Sequence, residues 1–145
     1  MIAVDSNLLV YAHREDSALH ARARRALAGL VESPRPWALP WPCVHEFLAI
    51  TTNPRIYRRP SSSDVALRAL SDLLGAGNAV LLSEAEDHRD RLADLVRRGG
   101  VSGGAVHDAR IAAICLSHGV AELWTADRDF GRFPDLRVRN PLVPG

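Results

Sequence analysis

Four carboxylates stand at places along the 145-residue chain that surface solubility does not account for. Asp5 ends the apolar run Ile2-Ala3-Val4, and Glu46 lies within Val44-His45-Glu46-Phe47-Leu48. Asp108 shares a helical stripe with Ala105, Ile111, Ala112 and Cys115, all apolar. Asp127 follows Leu123-Trp124-Thr125, with Asp129 two residues on. A carboxylate on an apolar stripe is costly to bury unless it is paired or bound to a metal. Brought within a few Å of one another, carboxylates repel, and the metal-free protein tolerates them through raised pKa values. Hard divalent cations such as Mg²⁺ or Mn²⁺ take a few carboxylates, with water completing the shell. Such a site activates water and steadies the negative charge of a phosphodiester under attack. Taken singly, each residue has a plainer explanation. Asp5 caps the next helix, Asp127 closes an Asx-turn, and Glu46 is solvated. Asp108 supports the positive end of its helix, near Arg110 or His107. The metal reading rests on all four converging.

Convergence requires elements that bring these positions together. Residues 2–4 read as a strand, and Asp5-Ser6 as the cap of a helix running through Leu8-Leu9-Val10-Tyr11. Residues 17–32 carry Leu19, Ala23, Ala26, Leu27 and Leu30 at helical spacing, and Ser33-Pro34-Arg35-Pro36 stops them. A second strand over 37–39 precedes a helix over 42–52, with Pro42 in its first turn. Ser61-Ser62-Ser63-Asp64 caps a helix ending near Gly75. Residues 80–82 give a third strand, and 84–98 a charged helix closed by Gly99-Gly100. A helix over 105–117 stops at Gly119, followed by a strand over 122–125 and an edge strand over 137–139. Alternating strands and helices predict an α/β fold with a parallel central sheet. Polar sites in such folds collect beyond the carboxyl ends of the strands. Asp5 and Asp127 each lie just past one. No repeat, linker or low-complexity tail interrupts the chain, so residues 1–145 read as a single domain.

Composition narrows the chemistry. Hydrophobic residues make up 47% and charged residues 24%, the proportions of a soluble globular protein. All 18 basic side chains are arginine. The absence of lysine excludes a P-loop lysine, a Schiff base and a Ser-Lys dyad. No Gly-x-Ser-x-Gly elbow is present. The net charge of +1 means that any basic surface is local. Cys43 and Cys115 cannot make a disulfide framework, and neither has zinc-site spacing with His45 or His118. With no leader and no membrane span in view, a reduced, cytoplasmic protein is expected.

The motifs in their order resemble the PIN-domain ribonucleases. Asp5-Ser6-Asn7, helical Glu46, His107-Asp108-Ala109-Arg110-Ile111-Ala112 and Leu123-Trp124-Thr125-Ala126-Asp127-Arg128-Asp129-Phe130 carry the likeness. Size and flanking elements are most similar to the VapC toxins of toxin–antitoxin modules. The resemblance implies a PIN-like three-layer sandwich, a short central parallel sheet flanked by helices. It implies Asp5 and Asp108 as principal Mg²⁺ or Mn²⁺ ligands, with Glu46 and Asp127 completing the cluster. Asn7 and Thr125 match supporting positions, and Asp129 a frequently acidic one. It further implies hydrolytic cleavage of tRNA or rRNA, a VapB-type antitoxin partner and a homodimer.

Weaker signals accompany these. Arg55-Ile56-Tyr57-Arg58-Arg59 interleaves three cations with an aromatic; it is either an RNA contact or a solvated loop with Tyr57 partly buried. Arg22, Arg24 and Arg25 read as a solvated helical face. The glycine-rich run 99–104 reads as a flexible connector. Two rivals to the nuclease remain at this level: a PIN module that binds RNA without cutting it, and a metal-dependent phosphatase acting on small esters.

Overall fold

A computed structural model describes residues 1–144; Gly145, the last residue of the domain expected over 1–145, lies outside them. Five parallel strands form one sheet: β1 (Ile2–Val4), β2 (Trp37–Pro40), β3 (Ala79–Leu82), β4 (Glu122–Trp124) and β5 (Val138–Arg139). Their spatial order is β3-β2-β1-β4-β5. The chain therefore builds outward from β1 in one direction and then returns to build in the other. The gap between β1 and β4 is the topological switch point, where open α/β sheets place their ligand sites. Val4 pairs with Trp124 there, so Asp5 and Thr125 emerge side by side.

Six helices flank the sheet: α1 (Ser6–His13), α2 (His20–Glu32), α3 (Trp41–Thr51), α4 (Ser63–Leu74), α5 (His88–Gly99) and α6 (Ala105–Ser117). α1 packs on α2 and α3, and α3 on α4; α5 packs on α6, which lies against β2. The expected layered α/β fold is the one observed. Every residue of β2 is buried, as is common in parallel strands covered on both faces. α6 is buried around most of its circumference, through Ala109 and the unbroken run from Ile111 to Cys115. It is thus a core helix that carries Asp108 on its first turns.

Element boundaries follow local chemistry. Pro42 sits in the first turn of α3, where its missing N–H would have no helical partner. The Ser62 hydroxyl accepts from the Val65 amide and starts α4 as expected. Two helices begin later than periodicity suggests. α2 starts at His20 because the Ser17 hydroxyl binds the Leu19 amide in a local turn. α5 starts at His88, after Glu84 has turned to an ion pair with Arg110. A 3₁₀ turn over Arg128–Arg132 extends the Asx-turn expected at Asp127. It is nucleated by Asp127 Oδ1, which accepts from the Asp129 amide at 2.9 Å. Within the glycine-rich run, Gly100 and Gly103 both take φ +60°, a conformation that residues with a Cβ rarely adopt. The left-handed turns between α5 and α6 give those two glycines a structural use.

The turn between α2 and β2 hangs on one side chain. Asn78 Nδ2 donates to the carbonyls of Leu30 and Ser33, both at 2.9 Å, and more weakly to those of Val31 and Arg35. Its Oδ1 accepts from the Trp37 indole at 3.2 Å. Replacing it leaves several half-buried acceptors and one indole N–H unpaired. Asn78→Ala should therefore lower unfolding free energy by about 2 kcal/mol in urea titrations, against about 0.5 kcal/mol or less for an exposed control substitution.

Candidate active site

Asp5 is the hub of the site. It is 4% exposed, and both carboxylate oxygens are occupied by donors. Oδ1 accepts from the Ser6 amide at 2.7 Å and from the Cys43 thiol at 3.5 Å. Oδ2 accepts from the Thr125 hydroxyl at 2.8 Å and Asn7 Nδ2 at 3.2 Å. The capping role and the site role of Asp5 are thus filled by one side chain. Asn7 Nδ2 also donates to Thr125 Oγ1, and its Oδ1 accepts from the Ala126 amide. The Asp127 amide closes the circuit onto Thr125 Oγ1 at 3.0 Å. This net ties the carboxyl ends of β1 and β4 together across the switch point.

Ser6 links the hub to the next carboxylate. Its hydroxyl donates to Glu46 Oε2 at 2.6 Å and so orients the Glu46 side chain toward Asp5. Ser6, expected only as a helix cap, and Cys43, expected only to lack a disulfide or zinc role, both serve the site. The only signal for Ser6 was its place in Asp5-Ser6-Asn7; for Cys43 there was none, because its contact spans 38 residues.

Carboxylate oxygens of Asp108, Asp127 and Asp129 lie within 4.8 Å of one another. Burial pushes the Asp108 carboxyl up to about 6, and the charges of Asp127, Asp5, Glu46 and Asp129 add to the shift. Burial also raises Asp5, with the Glu46 charge contributing, while hydrogen bonds from Thr125, Ser6 and Cys43 pull the other way. The structure therefore brings together all four carboxylates singled out by spacing, plus Asp129. Asn7 and Thr125 both donate to Asp5. Asp129 stands beside Asp108 and Asp127 rather than at a distance from them.

None of these five carboxylates forms an ion pair among the described residues, although the chain has 18 arginines. A concentration of negative charge with oxygen donors only and no counter-cation fits a hard divalent metal. Asp108, Asp127 and Asp129 offer converging oxygens for it. The Asp5 oxygens are engaged within the protein.

The segment 55–59 lies elsewhere. It follows the carboxyl end of α3 and packs beside Arg14, the residue that ends α1, whereas Asp5 begins that helix. The Arg14 guanidinium sits 3.9 Å over the Tyr57 ring, and its Nη1 donates to the Arg59 carbonyl. α1 has eight residues and is about 12 Å long. Arg55, Tyr57, Arg58 and Arg59 are therefore separated from the carboxylates by roughly the length of that helix. Beside Glu46 and Asp108, a hollow is lined instead by Pro42, His45, Gly104, His107 and Arg110.

The PIN-domain family model matches residues 2–136, an interval that contains every one of these carboxylates. The chain belongs to the PIN-domain family. It is 37% identical over 142 residues to a VapC ribonuclease of Mycobacterium bovis, a match covering 98% of this chain and 96% of that one. Similarity at that level extends family membership to the VapC ribonucleases. Among solved structures, the Mycobacterium tuberculosis VapC20 toxin, described as cleaving the sarcin–ricin loop, superposes with a TM-score of 0.68 at 18% identity, covering 90% of this chain and 93% of that one. A Rickettsia felis VapBC2 complex bound to promoter DNA superposes at 0.70 with 17% identity, covering 97% and 98%. These two likenesses establish the fold.

The crowding has a consequence for the metal-free PIN domain. Asp108 gives up its proton near pH 6 when folded and near the ordinary 3.8 when unfolded. Between those values the folded state holds the extra proton, so stability falls as pH rises through the window. In EDTA, Asp108→Asn should melt several degrees above the parent at pH 8. The gap should close as pH falls below about 4. A parent that melts at the same temperature as the variant at pH 8 would mean that Asp108 bears no such repulsion.

Proposed function

We propose that this VapC-family chain, a single PIN domain over residues 1–145, is a cytoplasmic, metal-dependent endoribonuclease toxin. One observation carries the reading: five carboxylates without a counter-cation meet at the switch point of a PIN fold. Mg²⁺ or Mn²⁺, when bound, would activate water for attack on a phosphodiester and neutralise charge developing on the phosphoryl oxygens. Asp108 and Asp127 are assigned as ligands, with Asp129 beside them. Asp5 and Glu46 complete the acidic set, directly or through water. Thr125, Asn7 and Ser6 have a positioning task. They hold Asp5 and Glu46 in single rotamers, so that no side chain must reorganise as charge builds up. No side chain of the cluster is required as a nucleophile.

The substrate class assigned is a tRNA or rRNA loop. The VapC20 neighbour, described as cutting the sarcin–ricin loop, supports a structured RNA target by analogy. The VapBC2 neighbour supports a VapB-type antitoxin as partner, and a homodimer is the assembly assigned on family grounds. No helix among the described residues is long and apolar enough to cross a membrane.

Purified, antitoxin-free protein incubated with total RNA and Mn²⁺ or Mg²⁺ should yield discrete fragments that disappear with EDTA. Asp5→Asn and Asp108→Asn should abolish them while leaving the fold intact by circular dichroism. Parental cleavage by both variants would overturn the ligand assignment. Thr125→Val removes a donor to Asp5 but no carboxylate. Its cleavage rate should fall by about 10- to 100-fold, and a rate within twofold of the parent would show that Asp5 needs no such support.

A further inference from the structure

Three arginines from two distant parts of the chain line one hollow beside β4 and β5. Arg22 and Arg25 project from one face of α2, and Arg139 from edge strand β5. Together with Trp124 and the segment 141–144 they line an open hollow of about 450 Å³. The Arg139 guanidinium lies 5.8 Å from the Trp124 ring centroid, within cation–π range. Arg22 is held by the Leu142 carbonyl at 3.1 Å. Arg24, between them in sequence, turns to a different groove, so the cluster is a product of the fold and not of the arginine run.

None of these three arginines forms an ion pair among the described residues. Three arginines around one hollow without a carboxylate partner give it a positive potential, and their planar donor forks match phosphate oxygens. The patch is also joined to the carboxylates. The Arg139 carbonyl accepts from the Thr125 amide at 2.9 Å, and the hydroxyl of that same Thr125 binds Asp5. Neighbouring strands are about 4.8 Å apart. Trp124 and Arg139 are paired in register and share one face of the sheet, opposite the Thr125 side chain, so a polyanionic strand whose reacting phosphate sits at the carboxylates would reach the patch by rounding the carboxyl ends of β4 and β5.

We propose that Arg22, Arg25 and Arg139, gathered around Trp124, bind the sugar–phosphate backbone of the RNA strand beside the bond that is cut. This assignment rests on the nuclease reading. It gives a near-neutral chain the local basic surface that RNA demands, and it places that surface one strand from the acidic cluster. An acidic protein segment would match the same charge. RNA is favoured because Trp124 and Arg139 stand at the carboxyl ends of β4 and β5, the end of the sheet that carries the carboxylates, and because arginine beside an indole suits nucleotides.

The test measures binding of a fluorescein-labelled single-stranded RNA by anisotropy in EDTA, from low to moderate NaCl. Metal-dependent cleavage of purified rRNA is followed in parallel. Each phosphate contact to a single strand adds about 0.7 to the slope of log affinity against log salt. Replacing all three arginines with glutamine should reduce that slope by about 2 and raise the KM for rRNA by about tenfold or more, leaving kcat near the parent value. The triple lysine variant, which keeps the charges, should keep most of the slope. Should the glutamine triple fail to fold, Arg25→Gln with Arg139→Gln tests the same point with a smaller slope change. An unchanged slope overturns the assignment and leaves the patch to an acidic protein segment. Cutting with an unchanged slope sinks the patch alone. A reduced slope without cutting by the parent sinks the nuclease reading instead.

Discussion

A buried carboxylate costs free energy unless donors surround it, and the architecture around Asp5 is organised by that requirement. Its four partners come from the start of α1, from the first turns of α3 and from the end of β4. Any displacement of these elements leaves donors or the carboxylate unpaired in a dry setting. The net therefore specifies how β1, β4 and the two helices meet. Thr125 is the clearest case. Its hydroxyl donates to Asp5 while accepting from Asn7 and from the Asp127 amide, so one buried oxygen sets the position of a strand end and of the next carboxylate.

The opposite principle governs the outer part of the site. Asp108, Asp127 and Asp129 are brought together with no arginine paired to them among the described residues and with the Asp129 amide donating to Asp127; burial first, and the neighbouring charges after it, raise the Asp108 carboxyl to about 6. A buried carboxyl surrounded by donors and an outer group without a counter-cation form a consistent division of labour. The inner layer supplies rigidity, and the outer layer retains the electrostatic need that a cation meets. The core helix α6 makes this possible. Packed on nearly all sides, it holds Asp108 in place against a repulsion that a surface helix would relieve by shifting.

Charge is also sorted across the sheet edge. Carboxylates occupy the switch point, and arginines without an ion pair among the described residues line the hollow beside Trp124 and Arg139. A chain with a net charge of +1 thereby presents a strongly negative centre and a positive flank within a short distance. Net charge alone conceals this arrangement, because it sums over a separation that an extended polyanion would register.

Much of this was legible in the residues. Short apolar runs separated by amphipathic stretches predict the alternation of strands and helices, because period and turn chemistry are local properties. Asp108 on an apolar stripe and Asp5 after a strand also announce themselves locally. The ion pair of Glu84 with Arg110 and the thiol of Cys43 against Asp5 do not, since each joins residues tens of positions apart. Nor does the separation of Arg22 and Arg25 from Arg24, or their union with Arg139, which depends on where an edge strand falls beside α2. The sequence determined the elements and the types of group available for chemistry. Tertiary structure alone decided which carboxylates share donors, which repel, and which arginines have no carboxylate partner among the described residues. Those outcomes depend on distances of a few Å, and the path along the chain does not contain them.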